Sequence, residues 1–264
     1  MTLIQVLCVV LTELSIGSLL ITCLLSPREI RASFFTFISL LCALSSAIAL
    51  VLSKWLLQSA WADVRYLGLT VIGATAAFGA FRLEKPNLGR LLLLLSGLMG
   101  FLLGVLPLAR NSLTLRGIDT IAPGFFDAGV ITGTVLMGAV TVTMILGHWY
   151  LVMRRLSFEH LLRCSQILLL ALGLRIAVVV GTLLMLGNFD ADLARTFLPS
   201  LWSIHGNLFF FLMRLLWGLA LPAVLGVLEL QCVQDKSNQS ATGLLYLMTV
   251  SILFGELFAA YLLI

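Results

Sequence analysis

Charged residues are scarce in this chain. Only 11% of its 264 residues are Asp, Glu, Lys or Arg, whereas 61% are hydrophobic and the mean hydropathy is +1.12. Soluble domains carry about 25% charged residues, so the composition excludes a soluble globular protein. No polar stretch is long enough to fold as a separate soluble domain. Any cofactor would therefore lie among the helices or on a partner subunit.

Several familiar motifs are absent as well. The sequence has no Gly-x-Ser-x-Gly, Walker, His-Glu-x-x-His or dinucleotide-binding motif. Its five cysteines show no C-x-x-C spacing, so we predict no iron–sulfur cluster and no metal site within the chain. The loops account for the net charge of +4, which therefore gives no reason to expect a nucleic-acid partner. The first residues lack both the basic start and the cleavage site of a signal peptide, which predicts an uncleaved first span.

Long apolar runs are what the chain does contain. A helix needs about 20 apolar residues to cross the hydrocarbon of a membrane. We therefore predict an all-α polytopic membrane protein, a single integral membrane domain over residues 1–264 surrounded by membrane lipids. Both halves open with a glycine-containing helix, TELSIGSLL and GTVLMGAV, which is compatible with two four-helix bundles. The eight predicted transmembrane helices are 2–25, 32–52, 66–81, 90–109, 129–152, 160–186, 207–230 and 242–264.

The distribution of basic residues predicts the orientation. The first, third, fifth and seventh loops carry most of the Lys and Arg, including the pair Arg154 and Arg155. By the positive-inside rule these loops lie in the cytoplasm and both termini lie outside. We expect a bacterial-type inner membrane.

Four ionisable residues are clear cases of a charge deep inside a predicted span, where each costs several kcal/mol and therefore suggests a function. At 1.5 Å per residue, Glu13 and Arg175 lie about 16 Å from the outer surface, and Arg214 and Glu256 lie about 10 Å from it. One interpretation is structural, with Glu13–Arg175 and Glu256–Arg214 as two ion pairs. The other is a polar pocket or proton path that opens outward.

Span seven has the residue types that a quinone site uses. His205 and Asn207 stand at its outer end, ahead of the aromatic run Phe209–Phe211 and of Arg214. A quinone headgroup needs hydrogen-bond donors, a proton donor or acceptor, and apolar walls. These residues predict a quinone or proton pocket in the outer half of the membrane, unless the phenylalanines only face lipid.

His148 and His160 stand six residues on either side of Arg154. In a tight hairpin they could ligate a b-type haem, with Arg154 or Arg155 at its propionates. We favour a turn at the headgroup level, anchored by Trp149 and Tyr150. A contact from His148 to a cofactor in a partner subunit is the third interpretation.

The segment VLTELSIGSLL, which contains Glu13 and Gly17, resembles the first helix of the membrane-anchor subunits of polysulfide and dimethyl sulfoxide reductases. Span two departs from that family, with SAIALVLSK where many such anchors carry a histidine in an HLG element. The resemblance implies eight spans in two bundles, no haem, and electron exchange between quinone and an iron–sulfur partner.

We therefore expect a membrane subunit of a respiratory-type electron-transfer complex. It would anchor iron–sulfur or multihaem cytochrome partners without chemistry of its own beyond contact with quinone. In this interpretation Arg175 and Arg214 orient carboxylates or a quinone oxygen, while Glu13 and Glu256 carry protons. The alternatives are a secondary transporter or proton channel that uses the same four charges, and a structural assembly subunit.

Overall fold

The computed structural model describes residues 3–27, 29–56, 58, 61–105, 123–153, 158–188 and 207–262. Within these ranges every regular element is a helix. Three π-helical segments also occur: Leu52–Leu56 extends α2, Phe101–Val105 extends α4, and Leu216–Ala220 joins α7 to α8. The α-helices are α1 (Leu3–Thr22), α2 (Ala32–Val51), α3 (Trp61–Arg82), α4 (Pro86–Gly100), α5 (Pro123–Val152), α6 (Phe158–Asn188), α7 (Asn207–Leu215), α8 (Leu221–Gln234) and α9 (Asn238–Leu262).

Eight membrane spans emerge when α7 and α8 are joined through their π segment. In the described part of the chain, eight helices are long and apolar enough to cross a membrane. The predicted all-α fold with eight spans is confirmed. Span three is longer than predicted, because α3 begins at Trp61, ahead of the predicted start at residue 66.

The helices pack as two groups of four spans. Helices α1 to α4 contact one another, as do α5 to α9, and the groups meet mainly where α1 packs against α5 and α9. We call them the first and second bundles. We call the end where α1 begins and α9 ends the terminal face, and the opposite end, which holds the α1–α2 loop, the loop face.

Two pairs of glycines bring the backbones of neighbouring helices into close contact. A Cβ atom on Gly17 would lie 2.0 Å from the Thr134 carbonyl oxygen, and one on Gly138 would lie 2.1 Å from the Gly17 carbonyl carbon. A Cβ on Gly255 would lie 2.1 Å from the Gly218 Cα. Small residues let membrane helices approach this closely. The helix-opening segments TELSIGSLL and GTVLMGAV thus meet each other at the bundle interface.

The π segment of span seven has an identifiable cause. Pro222 has no backbone N–H, so it cannot donate the helical hydrogen bond to the carbonyl of Gly218 four residues earlier. The helix widens over Leu216–Ala220, directly before the proline. Such π segments recur at functional sites, and this one begins two residues after Arg214.

Apolar side chains fill the interior and cover much of the outside. The main buried cluster includes Phe34, Phe35 and Phe81, whose rings pack on one another. Large apolar residues such as Ile72 and Leu170 are exposed on the outer surface. An apolar exterior of this extent suits a lipid environment.

Candidate functional site

Four charged side chains from four helices meet in one buried cluster. Glu13, Arg175, Arg214 and Glu256 are 4%, 3%, 0% and 2% exposed, respectively. Glu13 comes from α1, so it is the first bundle's contribution; the other three belong to α6, α7 and α9 of the second bundle. We call these four residues the charge cluster. It lies at the interface between the bundles, nearer the terminal face.

Arg175 is the most fully bonded member. Its Nε donates to Oε1 of Glu256 at 3.1 Å and its Nη2 donates to Oε2 at 2.6 Å, so the pair is bidentate. Its Nη1 donates to the carbonyl of Gly129 on α5 and lies 3.3 Å from Oγ1 of Thr132. Bidentate arginine–carboxylate pairs are strong and directional. Arg175 therefore joins α6 to both α9 and α5.

Arg214 is only partly bonded although its side chain is wholly buried. Its Nη1 donates to the carbonyl of Gly255 at 3.0 Å and lies 3.8 Å from Oε1 of Glu256. Its Nε and Nη2 are buried without a hydrogen-bond partner in the described part of the chain. An unsatisfied buried donor costs about 1–3 kcal/mol. Arg214 thus retains two donors for a further oxygen.

Glu13 approaches the other charges through the space that a glycine leaves open. The position of a Cβ on Gly133 would be 3.3 Å from Oε1 of Glu13, 3.3 Å from Nη2 of Arg175 and 3.1 Å from Oε2 of Glu256. Any larger residue at 133 would fill this point. Oε2 of Glu13 is buried with no hydrogen-bond partner among the described residues. Glu13 therefore lies beside the ion pair without belonging to it.

The predicted pairing needs a correction. Arg175 pairs with Glu256, whereas no ion pair joins it to Glu13 in the part of the chain that the structure covers. Glu256 does lie near Arg214, at the longer distance of 3.8 Å. The prediction of two separate levels failed because it counted rise along the helices only. A long arginine side chain spans a level difference of about four residues, or about 6 Å, so the two levels merge.

The two loop-face histidines have different partners. Nδ1 of His148 lies 2.8 Å from the hydroxyl of Tyr246 on α9. Nε2 of His160 lies 3.0 Å from Oε2 of Glu29 in the α1–α2 loop. Haem ligation by these histidines stays a prediction, as does a contact between His148 and a partner's cofactor.

The remaining predicted site residues lie at the edges of what the structure describes. Arg154 and His205 fall outside the described residues; Asn207 begins α7, but its side chain falls outside them too. Of the aromatic run, Phe210 packs against Phe258 and Tyr261 of α9, while Phe209 is exposed.

Sequence reasoning missed one buried acid, Glu229. The four predicted intramembrane charges do not include Glu229, although the predicted span seven extends to residue 230. The helix continues to Gln234, and Glu229 is 0% exposed. The apolar residues on both sides of it, in VLGVLELQCV, were the signal that could have revealed it.

The charge cluster contains the groups needed for proton exchange beside an oxygen ligand. Two arginines balance two glutamates, so the cluster is neutral when both acids are ionised and positive when one binds a proton. Glu256 bonds to Arg175 through both of its oxygens and lies near Arg214. Oε2 of Glu13 has no hydrogen-bond partner among the described residues, so Glu13 can take up a proton at little cost in hydrogen bonds. Arg214 can donate to a carbonyl or carboxylate oxygen.

In comparisons with known proteins, no family model, no curated protein and no solved structure matches the chain. The resemblance of the Glu13 segment to reductase anchor subunits therefore stays a prediction. The sequence and the structure together indicate an integral membrane protein with eight spans and a buried charge cluster between two bundles.

Proposed function

We propose that this protein is the membrane subunit of an electron-transfer complex, and that its charge cluster exchanges protons with a quinone in the outer half of the membrane. One observation carries the proposal. Glu13 and Arg214 both keep polar atoms without partners among the described residues, although both side chains are buried in the same cluster. Buried polar atoms are normally satisfied, so unsatisfied ones favour a ligand that completes the site.

The roles of the four residues follow from their bonds. Arg175 and Glu256 form the fixed part, because each is bonded through both ends of its charged group. Arg214 would donate to the quinone oxygen through Nε and Nη2. Glu13 would deliver one of the two protons of quinone reduction to that oxygen, with the second proton coming from water at the outer surface, and would take one proton back when the quinol is oxidised. The electrons would come from or go to an iron–sulfur or multihaem partner at the membrane surface.

Helix α1 connects the charge cluster to the first bundle. Glu13 is the cluster residue that the first bundle supplies, and the Gly17–Gly138 contact fixes its helix against α5. A change in the packing of the two bundles would therefore move Glu13 relative to Arg214. This coupling would relate proton exchange to the state of the bundle interface.

The experiment is purification of the tagged full chain from its native membranes. We expect iron–sulfur or cytochrome subunits to co-purify, and quinone to be extractable from the complex. In Glu13→Gln the partners and the quinone should remain, while proton uptake on quinone reduction is lost. Glu159→Gln, which changes an exposed carboxylate on α6, should behave as the wild type.

A second candidate function is ion-coupled transport. The π segment Leu216–Ala220 interrupts span seven next to Arg214, and interrupted helices at charged sites are typical of transporters. Co-purification separates the two proposals. A chain that purifies alone, holds no quinone and acidifies vesicles in a Glu13-dependent way would be a transporter, and the electron-transfer proposal would be wrong.

A further inference from the structure

A third buried carboxyl, after Glu13 and Glu256, lies in the other half of the membrane. Glu229 is on α8, five residues before that helix ends at the loop face, and its side chain is 0% exposed. Its Oε1 lies 2.7 Å from Oγ of Ser165 on α6. Its Oε2 is buried and has no hydrogen-bond partner in the described residues. No basic side chain lies within ion-pair distance of it in the same part of the chain, which sets it apart from Glu256.

The bonds of Ser165 define two protonation states of this pair. The Ser165 hydroxyl lies 2.7 Å from Glu229 and also 2.9 Å from the carbonyl oxygen of Leu161. A hydroxyl has a single proton to donate. When Glu229 is ionised, Ser165 donates to Glu229. When Glu229 is protonated, its own O–H donates to Ser165, and Ser165 donates to Leu161. Both states satisfy the hydroxyl.

The neutral state is the one that the surroundings favour. An ionised carboxylate with one unsatisfied oxygen and no cation is expensive in an apolar interior. The apolar packing is tight here: a Cβ on Gly226, one turn before Glu229, would lie 2.7 Å from the Leu169 side chain and 3.1 Å from that of Met248. Proton binding removes the charge and keeps the hydrogen bonds.

The charged side chains of α6 near this end of the bundle have partners elsewhere. On α6, Arg163 pairs with Glu159 and His160 pairs with Glu29. The Cys164 thiol, next to Ser165, is the titratable group of α6 that faces Glu229. Helix α9 also packs on α8, and its residues 238–253 include no charged side chain; the Tyr246 hydroxyl there bonds to His148.

An apolar layer separates this pair from the charge cluster. Along α7–α8, Glu229 is fifteen residues from Arg214, or about 22 Å. Along α6, Ser165 is ten residues from Arg175, or about 15 Å. On α6 and α8 the intervening buried side chains are apolar, among them Leu168, Leu172 and Leu225. On α9 the buried Ser251 lies between the two levels, and its hydroxyl donates to the carbonyl of Trp217.

We propose that Glu229 and Ser165 form a proton-binding site that is reached from the loop face. The ligand is a proton, and the binding group is the Glu229 carboxyl with Ser165 as its hydrogen-bond partner. This goes beyond the proposed role of the charge cluster and does not depend on it.

The test is infrared spectroscopy of the purified full-length protein over a pH titration. A protonated buried carboxyl gives a C=O stretching band that is absent from carboxylates. We expect a band that disappears in Glu229→Gln, persists in Glu229→Asp and moves to higher frequency in Ser165→Ala, which removes its hydrogen bond. Glu159→Gln is the matched control for an exposed acid on the partner helix.

Failure of this proposal is distinguishable from failure of the proposed function. Glu13→Gln should leave the Glu229 band in place, whatever it does to proton uptake with quinone. A spectrum in which Glu229→Gln removes no band would overturn the inference, because Glu229 would then be ionised throughout. A band that responds to sodium at fixed pH would also overturn it, since the site would then bind a metal cation. Glu229→Gln mimics the neutral acid, so it should fold as stably as the wild type.

Discussion

Arg175 and Arg214 carry the same charge and are similarly buried, yet their hydrogen bonding differs. Arg175 uses Nε, Nη1 and Nη2, whereas Arg214 uses Nη1 alone. Both share Glu256, which therefore serves two cations. At the scale of single residues, the difference separates a group that stabilises the fold from one that is available to a ligand.

Loss of Arg175 should destabilise the protein strongly. Arg175→Gln leaves Glu256 with only the longer contact to Arg214, and stranding a buried charge costs about 3–5 kcal/mol. We expect the double variant R175Q/E256Q to recover part of this loss. The free energy of unfolding in detergent measures both.

The matched control is Arg163→Gln, which breaks an exposed pair one helix turn apart on α6. Pairs of this kind contribute about 0.3–0.5 kcal/mol. A loss of similar size for Arg175→Gln and Arg163→Gln would contradict the stabilising role of the buried pair.

Cys23, at the loop-face end of α1, provides a test of burial just outside the spans. Burial raises the pKa of the Cys23 thiol to about 11 from an ordinary 9.0, with the Arg90 guanidinium offsetting part of the rise. The thiol is therefore protonated at neutral pH. With Cys23 as the sole cysteine, the maleimide labelling rate should keep rising about tenfold per pH unit beyond pH 9. A plateau near pH 9 would show an unburied thiol.

At the scale of helices, backbone contacts position the charges. Gly17 lies one turn from Glu13, Gly218 one turn from Arg214, and Gly255 next to Glu256. Each close contact fixes the rotation of its helix, and with it the direction in which the charged neighbour points. The charge cluster therefore depends on residues that have no side chain.

Gly17→Ala should separate α1 from α5. Its Cβ would meet the Thr134 carbonyl at 2.0 Å, and backbone cannot move aside as a side chain can. We expect a loss of about 1–3 kcal/mol in unfolding free energy, as for other overpacked sites. Glu13 should also lose its position in the cluster.

Gly79→Ala on α3 is the control, because nothing lies within 4 Å of its added Cβ. Alanine is the better helix former, so this variant should be as stable as the wild type or up to about 1 kcal/mol more stable. Equal losses for Gly17→Ala and Gly79→Ala would mean that the α1–α5 contact is looser than described.

The spans were predictable because the hydropathy of a segment depends on its composition alone. The charged residues within the spans were easy to identify because charged residues are rare there. The partners of those charges were not predictable. They depend on how each helix is rotated and tilted, which Gly17, Gly138 and Pro222 determine through tertiary contacts. The burial of Glu229 was not predicted, because Glu229 lies near the end of its apolar stretch and the helix continues for one turn beyond it. Glu13 and Glu256, by contrast, lie well inside their apolar stretches.

At the scale of the whole molecule, eight spans place Leu3 and Leu262 on the same side of the membrane. The charge bias of the loops predicts that this side is outside. In a cysteine-free background, Leu3→Cys should react with an impermeant maleimide on intact cells. Ser237→Cys, in the loop between α8 and α9, should react only after permeabilisation. Labelling of Ser237→Cys from outside would reverse the orientation.

The division of the charge cluster between the bundles also bears on how the chain enters the membrane. Glu13 is synthesised long before Arg175 and Arg214, and N-terminal segments insert first. For that interval the first bundle holds an acid in the membrane without either arginine, at a cost of about 2.5–3.5 kcal/mol if ionised. Glu13 should therefore enter the membrane as the neutral acid, and it meets the two arginines only when the second bundle arrives. Nascent chains that stop before α6 would retain Glu13 in the membrane without an arginine, and we expect membrane proteases to degrade them preferentially.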